Sequence, residues 1–100
     1  MKLYEIDSSE NDREFIRQIL DILPKKSAYD DHKIVGSQHQ YWFDLTIPLT
    51  DWAWQKKVNS DDREVVKAFF QPRMDRINQV LASSGAKAVA RGMNIVVVRG

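Results

Sequence analysis

The chain has 100 residues, of which 43% are hydrophobic and 29% charged, with a net charge of +1 and no cysteine. This composition predicts one globular domain over residues 1–100 and excludes disulfides, zinc–thiolate sites and a strongly basic nucleic-acid-binding surface. The amino terminus becomes charged too early for a signal peptide, and the longest apolar run, Ile95–Val98, is too short to span a membrane. We therefore expect a soluble, cytoplasmic protein.

The first predicted elements are a short strand over Lys2–Ile6 and an amphipathic helix that ends before Pro24. Ser8 or Ser9 would cap the helix, because a serine hydroxyl can accept from the free backbone N–H groups of the first turn. The apolar residues recur at helical spacing, and the acidic ones are interpreted as a solvated face. That apolar side comprises Phe15, Ile16, Ile19, Leu20 and Leu23, and the acidic side comprises Glu10, Asp12, Glu14 and Asp21.

Residues 25–31 are polar and turn-like, and two strands are predicted to follow, over His32–Val35 and His39–Leu49. The second shows the alternation of a half-buried strand. Tyr41 and Phe43 would then face the core, and Trp42 would point to the opposite side of the sheet.

The second half predicts a short helical turn with Trp52 and Trp54, then a long helix. Asp61 would cap this helix, with Glu64 at capping-box spacing. Pro72 lies inside it and predicts a kink or a break, since proline has no N–H to donate.

A final hairpin is predicted over Ala86–Ala90 and Met93–Arg99, with Ile95–Val98 buried inside the sheet. The fold class is therefore α+β: an antiparallel sheet of four to five strands with two main helices on one face. The element order matches a ferredoxin-like βαββαβ plan with an extra C-terminal strand.

Five of the ten aromatic residues lie within fourteen positions, between Tyr41 and Trp54. This is more aromatic surface than one side of a strand hides, and tryptophan is enriched at protein-binding hot spots. We expect a small non-enzymatic protein-interaction module, a regulator or inhibitor that binds another protein or forms a homodimer. The predicted partner-binding residues are Trp42, Asp44, Trp52, Lys56 and Lys57.

An enzyme is the first alternative. Gly36, Ser37, His39 and Tyr41 form a G-S-x-H-x-aromatic pattern, which resembles the active-site strand of HicA-type mRNA interferases. The resemblance implies a ribonuclease with His39 as general base, and imidazole suits that role because it titrates near neutral pH.

Single-stranded nucleic-acid binding is the second alternative. The element order is that of an RNA-recognition motif, which stacks bases on aromatic side chains of its first and third strands. Tyr4, Tyr41 and Phe43 occupy comparable positions here.

The sequence predicts neither a cofactor nor a metal site. His32 and His39, with Asp30, Asp31 and Asp44, are capable ligands but lack the spacing of a strong metal motif. The two histidines can still come together across the hairpin turn.

Overall fold

The structure is a computed structural model that describes the backbone of residues 3–100 and the side chains of residues 12–100. Residues 3–100 contain three α-helices, one 3₁₀ turn and four strands. In chain order these are α1 (Leu3–Ile22), β1 (Ala28–Val35), β2 (Gln38–Asp44), α2 (Thr46–Lys56), α3 (Arg63–Val80), the 3₁₀ turn Ala82–Ser84, β3 (Lys87–Arg91) and β4 (Asn94–Arg99). None of the described helices is long and apolar enough to cross a membrane.

The four strands form one antiparallel sheet in the order β1-β2-β4-β3, and the helices pack on it. The predicted α+β class is therefore confirmed. β4 pairs with β2 and with β3, and its residues Ile95–Val97 are buried, as the apolar run predicted. The ferredoxin-like topology is not confirmed, because β1 lies at the edge of the sheet and the chain is helical from Leu3 to Ile22.

Two hairpins build the sheet, and each turns on a glycine. Gly36 has φ 63° between the paired residues Val35 and Gln38, and Gly92 has φ 59° between Arg91 and Asn94. A positive φ at the first turn position favours glycine and matches the twist of a two-residue hairpin. The predicted final hairpin is confirmed.

Several predicted boundaries are wrong, and three of them concern α1, β1 and β2. The strand predicted over Lys2–Ile6 is helix from Leu3 onward, and Lys2 lies outside the described residues. β1 begins at Ala28, inside the predicted turn 25–31, and has a register shift between Tyr29 and Asp31.

The third wrong boundary is the end of β2, which stops at Asp44 instead of Leu49. The Asp44 carboxylate accepts from the Thr46 backbone N–H at 2.9 Å and from its hydroxyl at 2.6 Å, which starts α2. Pro48 then falls in the first turn of the helix, where its missing N–H has no intrahelical partner to lose. These contacts change the alternating stretch after Asp44 from strand to helix.

α3 is one helix despite Pro72, so the predicted break does not occur. The guanidinium of Arg73 donates to the backbone carbonyl of Phe69 at 2.8 Å, within the turn that contains Pro72. The N-cap is Asp62, whose carboxylate accepts from the Glu64 N–H at 2.9 Å. The predicted cap, Asp61, is one residue too early.

The core lies between the helices and one face of the sheet. Its fully buried side chains come from α1, β2, α2, α3 and β4, together with the residue between β2 and α2. They include Ile19, Tyr41, Phe43, Leu45, Leu49, Phe69, Ile77, Ile95 and Val97.

Candidate functional site

A polar network joins α1, β2 and β4 at one end of the core. The hydroxyl of Tyr41 donates to Asp12 Oδ1 at 2.6 Å and accepts from Arg99 Nη2 at 2.9 Å. Arg99 also donates to Asp12 Oδ1 at 3.2 Å, and its guanidinium lies 4.1 Å from the centre of the Phe15 ring. Burial, and then the hydrogen bond to Asp12, raise the pKa of Tyr41 to about 12.

Both histidines of the chain lie beside this network. Nε2 of His32 is 2.9 Å from Nδ1 of His39, and His32 Nδ1 is 3.7 Å from Asp12 Oδ2. The His32 ring stacks on Tyr41 with a centroid distance of 4.5 Å and an interplanar angle of 6°. We call Asp12, His32, His39, Tyr41 and Arg99 the histidine cluster.

The β1–β2 hairpin places the histidines. His32 pairs with Tyr41, and His39 pairs with Ile34. Since alternate residues of a strand point to the same face, His32 and His39 are diagonal neighbours on the face that also bears Tyr41. The sequence left open that the two histidines come opposite one another across the turn; they do meet, but as diagonal neighbours and not as a directly opposite pair.

Asp12 was predicted to lie on a solvated helix face, and that prediction is wrong. Its side chain is only 18% exposed, because Tyr41 and Arg99 cover one carboxylate oxygen. Sequence reasoning also missed Arg99. One feature of the sequence pointed to Arg99. It is a charged residue at the end of the apolar strand β4, and alternation places it on the same face as Ile95 and Val97.

The predicted contact residues do not form one surface. Trp42 alternates with the buried Tyr41 and Phe43, so it lies on the other face of the sheet, as predicted. The Lys33 ammonium lies 4.4 Å from the centre of its ring. Trp42 is half-buried, and Asp44 is engaged in starting α2.

Trp52, Lys56 and Lys57 belong to α2 and its end. The Trp52 ring packs on the core, 5.4 Å from the Phe69 ring, and the Lys56 ammonium lies 5.9 Å from the Trp52 ring centre. Lys57 is the C-cap, in the left-handed conformation with φ 58°. Trp52 is therefore largely a packing residue.

Trp54 is the tryptophan that faces solvent, with 83% of its surface exposed. Ile47, two helical turns earlier on the same side of α2, is 56% exposed, and Val58 just after the helix is 42% exposed. We call Ile47, Trp54 and Val58 the α2 stripe. The sequence-based prediction selected Trp42 and Trp52 as contact residues and left out Trp54, whose ring the structure leaves almost wholly exposed.

An apolar groove of about 390 Å³ lies between α3 and the β3–β4 turn. Val66, Phe70, Met74 and Met93 line it, with basic side chains at Arg63 and Lys67. Methionine-rich surfaces adapt to different apolar partners, which makes the groove a second apolar surface of the molecule.

Two of the three aromatics considered for nucleic-acid stacking, Tyr41 and Phe43, are not accessible. Tyr41 and Phe43 are both 0% exposed, so neither offers a ring face to a base. Tyr4 lies in α1, among the residues whose side chains the structure does not describe. Stacking on these strands is therefore excluded for Tyr41 and Phe43.

Comparison with known proteins adds no relative: no protein-family model, no curated protein and no solved structure matches the chain. The α2 stripe and the histidine cluster are therefore the two features of the molecule that bear on its function.

Proposed function

We propose that this protein is a small non-enzymatic interaction module, a regulator or inhibitor that acts by occupying the surface of a partner protein. The exposure of Trp54 is the observation that supports this proposal. An indole left almost wholly in water has no packing role in the monomer. Buried in a partner's pocket it supplies a large apolar area and one hydrogen-bond donor.

The surroundings of Trp54 favour a helix-in-groove contact. Ile47 precedes it by two turns on the same side of α2, which is the spacing at which an amphipathic helix presents anchors to an apolar groove. Asp51 lies one turn before Trp54 on α2 and pairs with Lys26 at 3.1 Å, which adds charges of both signs beside the apolar anchors and suits a polar rim. The proposed partner therefore presents an apolar groove that receives Trp54 and Ile47.

A photo-reactive amino acid at position 47 tests the proposal in the source cell. We expect an adduct with one partner protein, and we expect it to disappear when Trp54→Ala is added. The matched control carries the same amino acid at exposed Gln79 on α3. Equal adducts from positions 47 and 79, or an adduct that survives Trp54→Ala, would refute the proposal.

The purified partner should then bind the Trp54→Ala variant at least about 30-fold more weakly than the wild type, which corresponds to the loss of a hot spot of about 2 kcal/mol. If the partner is a second copy of this chain, sedimentation velocity will show concentration-dependent association of the wild type that Trp54→Ala abolishes.

Ribonuclease activity of His39 is the second candidate function. Two observations favour this function. The His39 ring contacts the His32 imidazole, and Arg99 is paired with His39 on the neighbouring strand β4. Purified protein should cleave single-stranded RNA, and His39→Ala should abolish cleavage. Cleavage that His39→Ala leaves unchanged would eliminate this function.

A further inference from the structure

We propose that His32 and His39 form a binding site for a divalent transition metal such as Zn²⁺, with Asp12 as the carboxylate that orients His32. The site is independent of the proposed interaction function. It departs from the sequence-based expectation of no metal, because the structure adds Asp12, which the sequence places 20 residues from His32.

The two facing nitrogens are at hydrogen-bond distance, which is close to the separation that a shared metal ion requires. His32 Nε2 and His39 Nδ1 are 2.9 Å apart. Two nitrogens bound to one tetrahedral Zn²⁺ at about 2.0–2.1 Å lie about 3.3 Å from each other. An opening of about 0.4 Å therefore admits the ion, and a small side-chain rotation of the two partly buried rings can supply it.

Asp12 faces the other nitrogen of His32 at a distance longer than a hydrogen bond, and metal binding is expected to draw the two groups together. Its Oδ1 is engaged by Tyr41 and Arg99, and its Oδ2 lies 3.7 Å from His32 Nδ1. A carboxylate on the far nitrogen of a metal-binding imidazole fixes the tautomer and ring orientation, and makes the liganding nitrogen more basic. The stacking of His32 on Tyr41 holds the same ring in place.

The ligand set selects the class of metal. One potential ligand atom from each of Asp12, His32 and His39 lies within 4.8 Å of the other two. Imidazole nitrogen suits Zn²⁺, Cu²⁺ and Ni²⁺, whereas Mg²⁺ and Ca²⁺ require mostly oxygen ligands. Water would fill the remaining positions of the bound ion.

Isothermal titration with Zn²⁺ tests the site, with NMR detection of the imidazole resonances. The chain has only two histidines and no cysteine, so a histidine signal that shifts with zinc can arise only here. We expect one equivalent of Zn²⁺ to shift both imidazoles and to raise the melting temperature. Mg²⁺ at the same concentration should do neither.

The variants separate ligands from the positioning residue. His32→Ala and His39→Ala should each abolish the one-equivalent binding, and Asp12→Asn should weaken it about 10- to 100-fold. The matched control Asp61→Asn, an exposed carboxylate on a loop, should bind like the wild type. If an alanine variant fails to fold by circular dichroism, His32→Phe or His39→Phe replaces it.

Two results would overturn the site. One is a titration in which wild type and the His32→Ala/His39→Ala variant give the same isotherm, because surface carboxylates would then explain the binding. The other is the absence of any zinc-dependent imidazole shift at millimolar Zn²⁺.

Discussion

Asp12 connects three elements through one carboxylate. It accepts from Tyr41 on β2 and from Arg99 on β4, and it faces His32 on β1. The carboxylate of a half-buried aspartate loses water on folding, and such a group is stable only when charged or polar donors replace that water. Arg99 and Tyr41 supply them, so the three side chains should act as a unit.

The raised pKa of Tyr41 predicts a loss of stability in alkali. Its pKa is about 12 in the folded protein, against an ordinary value near 10. The neutral phenol therefore stabilises the fold below about pH 10, and this contribution is lost as the pH rises from about 10 to about 12. Urea unfolding at several pH values in this range should show a steeper fall for wild type than for Tyr41→Phe, whose ring cannot ionise. Equal slopes would contradict the prediction.

The two neighbouring tryptophans of α2 predict opposite effects on stability. Trp54→Ala should change the free energy of unfolding by less than about 0.5 kcal/mol, because its ring is in water. Trp52→Ala should lower it by more than about 2 kcal/mol, because it removes the contact with Phe69. Chemical denaturation followed by circular dichroism measures both, and a large effect of Trp54→Ala would show that its ring packs in solution.

At the scale of single residues, the sequence predicted contacts between residues that are close together in the chain. His32 and His39 are seven residues apart across one turn, so alternation alone brings them to one face. Asp12 meets Tyr41 across 29 residues, and nothing in the helical pattern distinguishes Asp12 from Glu14 or Asp21. A carboxylate on a helix acquires its role from the element that packs against it, and that packing is tertiary.

At the scale of elements, the junction between β2 and α2 shows how a side chain overrides a pattern. Ile47 and Leu49 continue the alternation of the strand and were predicted as its last residues. The carboxylate of Asp44 instead binds Thr46, which satisfies donors of a starting helix. Alternation over four residues fits either structure, so the short polar contact decides between them.

The start of α3 predicts a specific difference between two adjacent aspartates. Asp62→Ala should lower the free energy of unfolding by about 1 kcal/mol, because it removes the acceptor of the Glu64 N–H. Asp61→Ala should have little effect, since the described contact of Asp61 is made by its backbone N–H, which donates to the side-chain Oδ1 of Asn59 and survives the substitution. Urea midpoints of both variants check this. A larger loss of stability in Asp61→Ala than in Asp62→Ala would show that Asp61 is the N-cap, as the sequence spacing predicted.

At the scale of the whole molecule, β4 joins the parts of the fold. It pairs on both sides, and Ile95 and Val97 lie in the core with residues of all three helices. The apolar run Ile95–Val98 correctly predicted that this strand lies inside the sheet and not at its edge. The strand order was not predictable, because hydrophobicity shows that a strand is buried without showing which neighbours bury it.

Two isoleucines on strands of the same sheet give a matched test of this architecture. Ile95→Ala should lower the free energy of unfolding by about 2–5 kcal/mol, because its side chain is 0% exposed. Ile34→Ala, on a side chain that is 64% exposed, should cost less than about 1 kcal/mol. Calorimetry of both variants measures the difference, and similar melting temperatures would show that β4 is not the centre of the core.

The register shift near the start of β1 has a consequence for aggregation. β1 is an edge strand, and an edge with unpaired N–H and C=O groups is a template for another chain. Here the shift falls between Tyr29 and Asp31, and exposed charges at Asp30, Asp31 and Lys33 line the same strand. The opposite edge, β3, is five residues long, with Lys87 and Arg91 at its ends. Growth of the sheet by strand addition is thus opposed at both edges, and the chain should resist fibril formation at concentrations where a flat, uncharged edge would nucleate it.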